Sequence, residues 1–341
     1  MSILPYIFVV GPGQMGKLFF AALVIFLPFV YLCLPMDKRI EHIIEAEALR
    51  LGFSACGFAK AEPVSEEMAA VLDRWTASGY HAEMDYMERN RDLRLDPTQL
   101  VPGCRTLIVV ALNYYPKQIL PREGFQIAYY AYGKDYHRVV KDKLHQLLSY
   151  VRTLVPEVEG RAFCDTAPLL ERYWAVKAGL GFVGLNRQLI IPGKGSYFFL
   201  GVLAVNLDLE AEPHAMPLSC GGCKRCLLAC PTGALTRDGI DCRRCLSYLT
   251  IEHRGPIPEE MAQKLGRRIY GCDTCQQVCP HNRLAESTEE TAFDMSAEVA
   301  TLTPEEWHAM SAERYKTLFK HSAMERAGYE GLKRNIELAQ D

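Results

Sequence analysis

The sequence predicts an α/β (α+β) domain, followed by a module of the bacterial ferredoxin type and a short helical C-terminus. Helix and strand patterns alternate between residue 36 and about residue 205, and nine of the 13 cysteines lie between residues 220 and 279. We therefore divide the chain into segments 36–207, 208–288 and 289–341, preceded by an apolar extension at 1–35.

The composition is that of a globular protein. Hydrophobic residues make up 49% and charged residues 23% of the 341 residues, which leaves room for two or three domains with a sizeable core. The formal net charge of −3 gives no global sign of nucleic-acid binding, so any such role requires a local basic face. The cysteines are grouped at ligand spacings within a long chain, unlike those of small secreted disulfide proteins. We expect a reducing, cytoplasmic location.

The first 35 residues do not fit the rest of the pattern. Residues 18–34 form an apolar run of 17 residues, slightly shorter than the roughly 20 that span a bilayer. A membrane anchor, a signal peptide without a small-residue cleavage site and a buried helix are three interpretations. We favour a fourth, in which translation starts at Met36, because a plausible amphipathic helix begins there.

The elements of the segment 36–207 follow from apolar spacing. Proline and glycine mark the ends of one helix, and a glycine-containing turn suggests a hairpin. The predicted elements are a helix from Met36, a strand at 105–115, a helix at 136–155, a strand at 161–165, a helix at 168–181 and a hairpin at 188–207.

The cysteines fall into two runs that each end in Cys-Pro. The first run has the spacing C-x2-C-x2-C-x3-C-P and the second C-x2-C-x3-C-P; they comprise Cys220, Cys223, Cys226 and Cys230, then Cys272, Cys275 and Cys279. In bacterial ferredoxins the last cysteine of such a run binds the other of two [4Fe–4S] clusters. This crossover assigns Cys220, Cys223, Cys226 and Cys279 to cluster I, and Cys230, Cys272 and Cys275 to cluster II. The spacing leaves the eighth ligand open between Cys242 and Cys245.

Structural zinc is the alternative, because C-x2-C pairs also bind zinc. Two runs that each close on Cys-Pro favour iron–sulfur clusters, and two clusters in series predict electron transfer. The four isolated cysteines are interpreted as small apolar fillers: Cys33, Cys56, Cys104 and Cys164.

From about residue 40 to 335 the chain resembles the epoxyqueuosine reductase family. The matching segments occur in the family's order: GYHAEMDYMERN (79–90), YGKDYHRVV (132–140), DTAPLLER (165–172), AGLGFVGLN (178–186), GSYFFLG (195–201), the first cysteine run, RRCLSYLTIEHRGPIP (243–258) and YGCDTCQQVCPHN (270–282).

The resemblance implies a reaction, a cofactor and partners. It implies that the enzyme uses cobalamin (B12) to reduce epoxyqueuosine to queuosine in the anticodon loop of tRNA, the last step of queuosine biosynthesis. The tRNA would carry a queuosine-type wobble base, which must be splayed from its loop into the pocket. Electrons would come from an external low-potential donor of the flavodoxin or ferredoxin type, through the two clusters. We expect a monomer.

The resemblance also implies roles for single residues. Asp165 matches the proton donor of the family, although the sequence Asp-Thr-Ala-Pro is more typical of a helix cap. Cys245 matches the eighth cluster ligand. The cobalamin contacts implied by matching positions are Arg94, Asp165, Leu189, Leu200, Ser247, Asp273 and Thr274.

Two positions depart from the family pattern. Ala128 stands where some relatives have a cysteine near the cobalt, so no thiol could act there. Leu185 precedes Asn186 where the family usually has a lysine, which leaves no lysine side chain for a role at that position.

Six basic residues are candidates for contacts with tRNA phosphates, with a solvated helix face as the alternative interpretation. They are Lys264, Arg267, Arg268, Lys316, Lys320 and Arg326.

Two other protein classes share part of the pattern. A corrinoid reductive dehalogenase lacks the segments GKDYH and SYLTIE, and a ferredoxin-type carrier needs no large domain before its cysteines.

Overall fold

The computed structural model describes residues 36–211 and 219–339. The apolar run at 18–34, and with it the four interpretations of the N-terminal extension, lies outside the described residues. Among the helices in the described part of the chain, none has the length and apolar character that crossing a membrane requires.

The strands form one antiparallel sheet and two short ladders. Their bounds are β1 Ala55–Lys60, β2 Thr106–Asn113, β3 Gln126–Ile127, β4 Gly160–Phe163, β5 Phe182–Val183, β6 Leu189–Ile190, β7 Phe198–Val205 and β8 Arg268–Tyr270. The sheet has the order β1-β2-β7-β4, and all three of its pairings are antiparallel. Strand β3 pairs with β8 in parallel, and β5 pairs with β6. The predicted strands at 105–115 and 161–165 are confirmed.

The helices are mostly short outside the first domain. Their bounds are α1 Met36–Arg50, α2 Glu66–Ala77, α3 Arg91–Leu95, α4 Pro97–Leu100, α5 Tyr136–Leu154, α6 Glu171–Lys177, α7 Arg225–Ala229, α8 Leu246–Ile251, α9 Glu259–Ala262, α10 Thr274–Gln277, α11 Ala297–Thr301, α12 Pro304–His308, α13 Ala312–Leu318 and α14 Gly328–Leu338. Single 3₁₀ turns cover Asp85–Met87, Tyr129–Ala131, Cys242–Arg244, Pro280–Leu284, Thr291–Phe293 and Ala323–Ala327. The helices predicted from Met36, at 136–155 and in the C-terminal segment are confirmed.

The central strands β2 and β7 are buried on both faces. Along β2, Ile108 and Val110 pack on one face against Leu144 of α5, whereas Val109 packs on the other face near Trp174 of α6. This alternation follows from the two-residue period of a strand. Helices therefore cover both faces of an antiparallel sheet. Side chains of the C-terminal helices, including Trp307, extend the first of these two core faces.

The predicted hairpin at 188–207 is wrong. Strand β6 pairs with β5, which precedes it in the chain, and the turn to β7 has only one isolated bridge, between Ile191 and Gly195. Strand β7 instead lies between β2 and β4. Its apolar run is buried on both faces there, and a two-stranded hairpin could not provide that burial.

The predicted helix at 168–181 is shorter than expected. It begins at Glu171, three residues after Pro168, because the chain after β4 first forms an irregular loop. It ends at Lys177, where Gly179 takes a left-handed conformation with φ of 76° and donates its N–H to the carbonyl of Val176. Glycine accepts this conformation without the steric cost of a side chain.

Candidate functional site

Asp165 lies in the loop that joins β4 to α6. Its backbone has φ of 52°, a left-handed conformation in which aspartate is one of the few tolerated non-glycine residues. Its side chain is 69% exposed, and Oδ2 lies 4.0 Å from Nε2 of His137. The same Oδ2 accepts a hydrogen bond of 2.7 Å from the hydroxyl of Tyr136. The carboxyl of Asp165 is thus exposed to solvent, while its Oδ2 is fixed by the hydrogen bond from Tyr136.

Tyr136 is fixed by stacking at the start of α5. Its ring lies parallel to that of Phe199, with the centroids 4.2 Å apart, and stacks on His137 at 4.0 Å. The side chain of Asp135 caps the helix by accepting from the backbone N–H of His137. Burial raises the pKa of Tyr136 well above its ordinary value, and the charge of Asp165 adds to this shift. The hydroxyl therefore stays protonated and acts as a donor.

A second carboxyl lies behind Asp165. Glu171, the first residue of α6, accepts a 2.7 Å hydrogen bond at Oε1 from the backbone N–H of Asp165. The pKa of Glu171 is raised to about 8, mainly by burial and then by the charge of Asp165, whereas the hydrogen bond from the Asp165 N–H and the charges of Arg172 and Lys141 lower it. Two carboxyl side chains with different surroundings, one exposed at Asp165 and one half-buried at Glu171, thus lie close together.

Arg94 is a buried guanidinium near this loop. It is 6% exposed, its Nη2 donates to the carbonyl of Tyr86 at 2.7 Å, and its Nε is buried without a hydrogen-bond partner in the described structure. Burial lowers the pKa of Arg94, whereas the charges of Tyr86 and Asp165 oppose that change. Tyr86 is 45% exposed and Arg326 lies over its ring at 6.0 Å. The charge of Asp165 thus acts on both Arg94 and Tyr86.

The chemistry of the predicted polar contact residues fits a large polar cofactor. The corrin of cobalamin carries carboxamide groups at its rim, and the unpartnered Nε of Arg94 is a donor suited to such an acceptor. Asp273 is buried, its Oδ2 accepts from the N–H of Tyr129 at 2.7 Å, and burial raises its pKa to about 6. Thr274 accepts from Arg268 at 2.8 Å, and Ser247 is half-buried.

Leu189 and Leu200 are the apolar members of the predicted set. Both are buried in the second core face, in the cluster that also holds Leu95, next to Arg94, and Leu169, four residues after Asp165. The role of the whole predicted set as cobalamin contacts stays a prediction.

The four cysteines assigned to cluster I are gathered in one place. Burial raises the pKa of Cys226, and the charges of Cys220 and Cys279 add to this shift. The pKa of Cys279 is raised by burial first and also by the charges of Cys220 and Cys223. The two cysteine runs, about 50 residues apart in the chain, therefore meet as the crossover requires.

The four cysteines assigned to cluster II form a second group. Burial raises the pKa of Cys245 to about 11, and the charges of Cys272 and Cys230 add to it. Burial also raises the pKa of Cys275, together with the charges of Cys272 and Cys245. Cys245 thus lies among the other three assigned ligands.

Cys242 lies to the side of this group. Its pKa is raised to about 12 by burial, then by Cys245 and Asp241, and it packs against Leu246 in an apolar cluster. Within residues 36–211 and 219–339, no three Cys, His, Asp or Glu side chains lie close enough to hold one metal ion. A [4Fe–4S] cube binds each thiolate through a different iron, so its ligands stand further apart. The ligand sets stay predictions.

The positions that depart from the family pattern contact the cysteine loops. Ala128 donates its N–H to the carbonyl of Tyr270, and a Cβ on Gly271 would lie 2.5 Å from that of Ala128. The backbone N–H of Leu185 donates to Sγ of Cys220 at 3.3 Å. Asn186 is buried, and its side-chain Oδ1 accepts a hydrogen bond from the backbone N–H of Gln188.

Sequence reasoning missed a polar contact that joins the cysteine module to the sheet. Nε2 of Gln276 donates to the carbonyl of Ser196 at 3.0 Å, and Nδ2 of Asn282 donates to Oγ of Ser196 at 3.0 Å. The N–H of Ser196 donates to Oδ1 of Asn282. All three residues belong to segments that carry the family resemblance, and this was the available signal. It also missed the hydrogen bond from Asp165 to Glu171, for which no local pattern exists.

The basic residues predicted to contact phosphates have different surroundings. Lys264 pairs with Glu260, Arg326 pairs with Glu252, and Arg268 is turned inward to Thr274. Arg267 is half-buried, whereas Lys316 and Lys320 are exposed.

A basic rim, which we define as Lys134, Arg138, Lys141 and Lys320, lies beside the Asp165 loop. Lys141 donates to Oγ1 of Thr166 at 2.6 Å, and Asp135 donates its N–H to the carbonyl of His321, next to Lys320, at 2.7 Å. Three of the four side chains in this rim are exposed.

Comparison with known proteins identifies two matching family descriptions. Residues 94–166 match "Epoxyqueuosine reductase QueG, DUF1730", and residues 219–282 match "4Fe-4S double cluster binding domain". An epoxyqueuosine reductase of Cellulophaga algicola is 42% identical over 305 residues, which are 89% of this chain and 99% of that protein. One from Pseudomonas aeruginosa is 38% identical over 310 residues, with 89% and 85% covered.

Solved structures of epoxyqueuosine reductases have the same fold. The crystal structure of one such enzyme with a tRNA-Tyr epoxyqueuosine-modified stem loop has a TM-score of 0.81 and 29% identity, and covers 89% of this chain and 81% of that one. The structure from Streptococcus thermophilus has a TM-score of 0.79 and 31% identity, with 87% and 79% covered.

Proposed function

Because this chain belongs to the epoxyqueuosine reductase family of oxidoreductases, we propose that it reduces epoxyqueuosine to queuosine in the anticodon loop of tRNA, as the last step of queuosine biosynthesis. The observation that carries this proposal is the exposed carboxyl of Asp165, which accepts a hydrogen bond from Tyr136 at 2.7 Å and whose charge acts on the buried Arg94. An acid in this setting can protonate a group that leaves a bound substrate.

The residues proposed to hold cobalamin are Arg94, Asp165, Leu189, Leu200, Ser247, Asp273 and Thr274. When bound, cobalamin supplies the strongly reducing centre that breaks the carbon–oxygen bond of the epoxide. Removing the epoxide oxygen as water takes two electrons and two protons. Asp165 delivers a proton to the departing oxygen, and Tyr136 fixes the direction in which the Asp165 carboxyl faces.

The proposed clusters form an electron route that ends at this site. Cys272 and Cys275 of cluster II flank Asp273 and Thr274, so cluster II is the inner one. Cluster I is the outer one, and near its cysteines Leu228 is 84% exposed beside the exposed Lys224 and Arg225. An apolar side chain between basic groups suits an acidic low-potential donor of the flavodoxin or ferredoxin type.

The proposed tRNA site uses the basic rim. A relative was solved with a tRNA-Tyr epoxyqueuosine-modified stem loop, which supports tRNA as the partner. Enzymes that act on a base receive it splayed from a single-stranded loop, while basic groups hold the flanking phosphates. Lys134, Arg138 and Lys320 are exposed at the edge of the Asp165 loop and suit that role.

Anaerobic reconstitution tests the proposal. The protein would be supplied with iron, sulfide and cobalamin, and then incubated with epoxyqueuosine-containing tRNA and a strong reductant. We expect about eight irons and one cobalt per chain, with queuosine formed catalytically. Iron without cobalamin binding would instead indicate an electron carrier. Binding of cobalamin with dehalogenation, but no queuosine, would indicate a reductive dehalogenase.

A further inference from the structure

The backbone of Asp165 is in a conformation that its surroundings must maintain. A left-handed φ of 52° is disfavoured for a residue with a side chain, and it persists only where neighbouring contacts hold it. Because the side-chain direction depends on this backbone, a change in φ would turn the carboxyl away from Tyr136. The loop therefore needs contacts that hold it.

Besides the contacts of Tyr136 and His137 with the Asp165 carboxyl and the packing of Leu169, two side chains form hydrogen bonds with the loop. Oε1 of Glu171 accepts the Asp165 N–H at 2.7 Å, and Nζ of Lys141 donates to Oγ1 of Thr166 at 2.6 Å. Within the loop, Leu169 and Glu171 donate their N–H groups only over two residues, to Ala167 and Leu169. Such short turns do not set the conformation at Asp165.

Glu171 is attached to a rigid support. It begins α6, in which Trp174 is 1% exposed and packs in the second core face. The Glu171 carboxyl thus connects the exposed start of the loop, at Asp165, to a helix packed in the core. Burial raises the pKa of Glu171 to about 8, with Asp165, Arg172 and Lys141 as its charged neighbours. A carboxyl oxygen accepts a hydrogen bond in either protonation state.

We propose that Glu171 is a positioning residue that closes the loop 165–171 and holds Asp165 in its left-handed conformation, so that the Asp165 carboxyl faces the site. This inference rests on the proposed function for the role of Asp165 as an acid. Glu171 does not contact the substrate in this scheme. It acts through the backbone N–H of Asp165, whereas Tyr136 acts on the carboxyl itself.

The test compares three variants of the cobalamin- and cluster-loaded enzyme. Glu171→Ala removes the acceptor, Glu171→Gln keeps an acceptor oxygen at the same reach, and Glu66→Ala is the control. Glu66 is also the first residue of its helix, but its side chain is exposed. Two quantities would be measured: kcat and KM with epoxyqueuosine-containing tRNA, and hydrogen exchange at the Asp165 amide without tRNA.

We expect Glu171→Ala to lower kcat about fivefold to tenfold with little change in KM, because a hydrogen bond that holds the loop is lost at a residue that binds no substrate. Exchange at the Asp165 amide should rise by about tenfold or more for the same reason. Glu171→Gln should stay within about threefold of the wild type in both measurements, and Glu66→Ala should change neither.

Equal impairment of Glu171→Gln and Glu171→Ala would overturn the proposal, and so would unchanged exchange in Glu171→Ala. If the alanine variant takes up no iron, Glu171→Asp replaces it, since that side chain keeps a carboxyl group but is one methylene too short. If the wild type forms no queuosine, the proposed function fails, while the exchange measurement still decides whether Glu171 holds the loop.

Discussion

The hydroxyl of Tyr136 donates a 2.7 Å hydrogen bond to Oδ2 of Asp165, although the two residues are 29 positions apart. The bond joins the first residue of a long, well-packed helix to the irregular loop between β4 and α6, in which Asp165 is exposed. Since the Tyr136 ring is stacked between Phe199 and His137, the hydroxyl is a fixed point against which the carboxyl is aligned.

Tyr136→Phe should lower queuosine formation by about tenfold, because one hydrogen bond to the carboxyl is lost while the ring stacking remains. The measurement is kcat with epoxyqueuosine-containing tRNA, alongside iron and cobalamin content. Tyr150→Phe, further along the same helix, is the control. Wild-type turnover in the Tyr136 variant would mean that Asp165 needs no alignment from this side.

Asp165→Asn should lower turnover by roughly 10²–10⁴-fold, the usual effect of removing a positioned general acid. Asparagine has nearly the same shape and also tolerates the left-handed backbone, so cobalamin and cluster content should not change. Binding of tRNA should change little, because its affinity comes mainly from phosphate contacts. Asp142→Asn, at an exposed position of α5, is the control. Near-normal turnover would exclude Asp165 as the acid.

Cys245→Ala should reduce bound iron from about eight to about four per chain, whereas Cys242→Ala should keep both clusters. The reason is that Cys245 lies with Cys230 and Cys272, while Cys242 packs among apolar side chains. Iron content and low-temperature electron paramagnetic resonance after reduction measure the outcome. Equal iron in the two variants would contradict this assignment of the eighth ligand.

Glu171→Gln should stabilise the protein increasingly as the pH rises from about 4.5 to about 8. The folded-state pKa of Glu171 is about 8, above its ordinary value of 4.5, so the folded protein retains a proton that the unfolded chain releases. Stability conferred by the neutral carboxyl is complete below pH 4.5 and is lost as the pH rises through 8. Glutamine cannot ionise and avoids this loss. Melting temperatures at pH 5, 7 and 8.5 measure the effect, with Glu66→Gln as the control. A difference that is independent of pH would refute the argument.

Arg138→Ala combined with Lys320→Ala should weaken tRNA binding and reduce the slope of log affinity against log salt by about one to two, if each contacts one phosphate. Binding would be measured at several salt concentrations with the unreacted tRNA. Lys60→Ala is the control because β1 is at the sheet edge opposite β4. An unchanged slope would place the phosphate contacts elsewhere.

Local patterns in the sequence were sufficient for much of the fold. The helix Tyr136–Leu154 and the strand Thr106–Asn113 follow from apolar spacing, since a helix repeats every 3.6 residues and a strand every two. The short spacings within each cysteine run also predict iron–sulfur clusters from the local sequence alone. The crossover rule of ferredoxins predicts that residues 220 and 279 lie together, and their thiols are close enough for their charges to interact, while their role as ligands of one cluster stays a prediction.

Only the tertiary structure decided which distant segments meet. Strand β6 pairs with β5 and not with β7, because β7 is buried between two longer strands and its pairing depends on residues about 40 to 90 positions away. The tertiary structure also decided the contacts at the site. The local sequence around Asp165 predicts a helix cap. No local pattern predicts the stacking of Tyr136 on Phe199 or the hydrogen bond from Asp165 to Glu171. Spacing encodes the conformation of a segment, but the energy of burial and hydrogen bonding between segments depends on the whole packed chain.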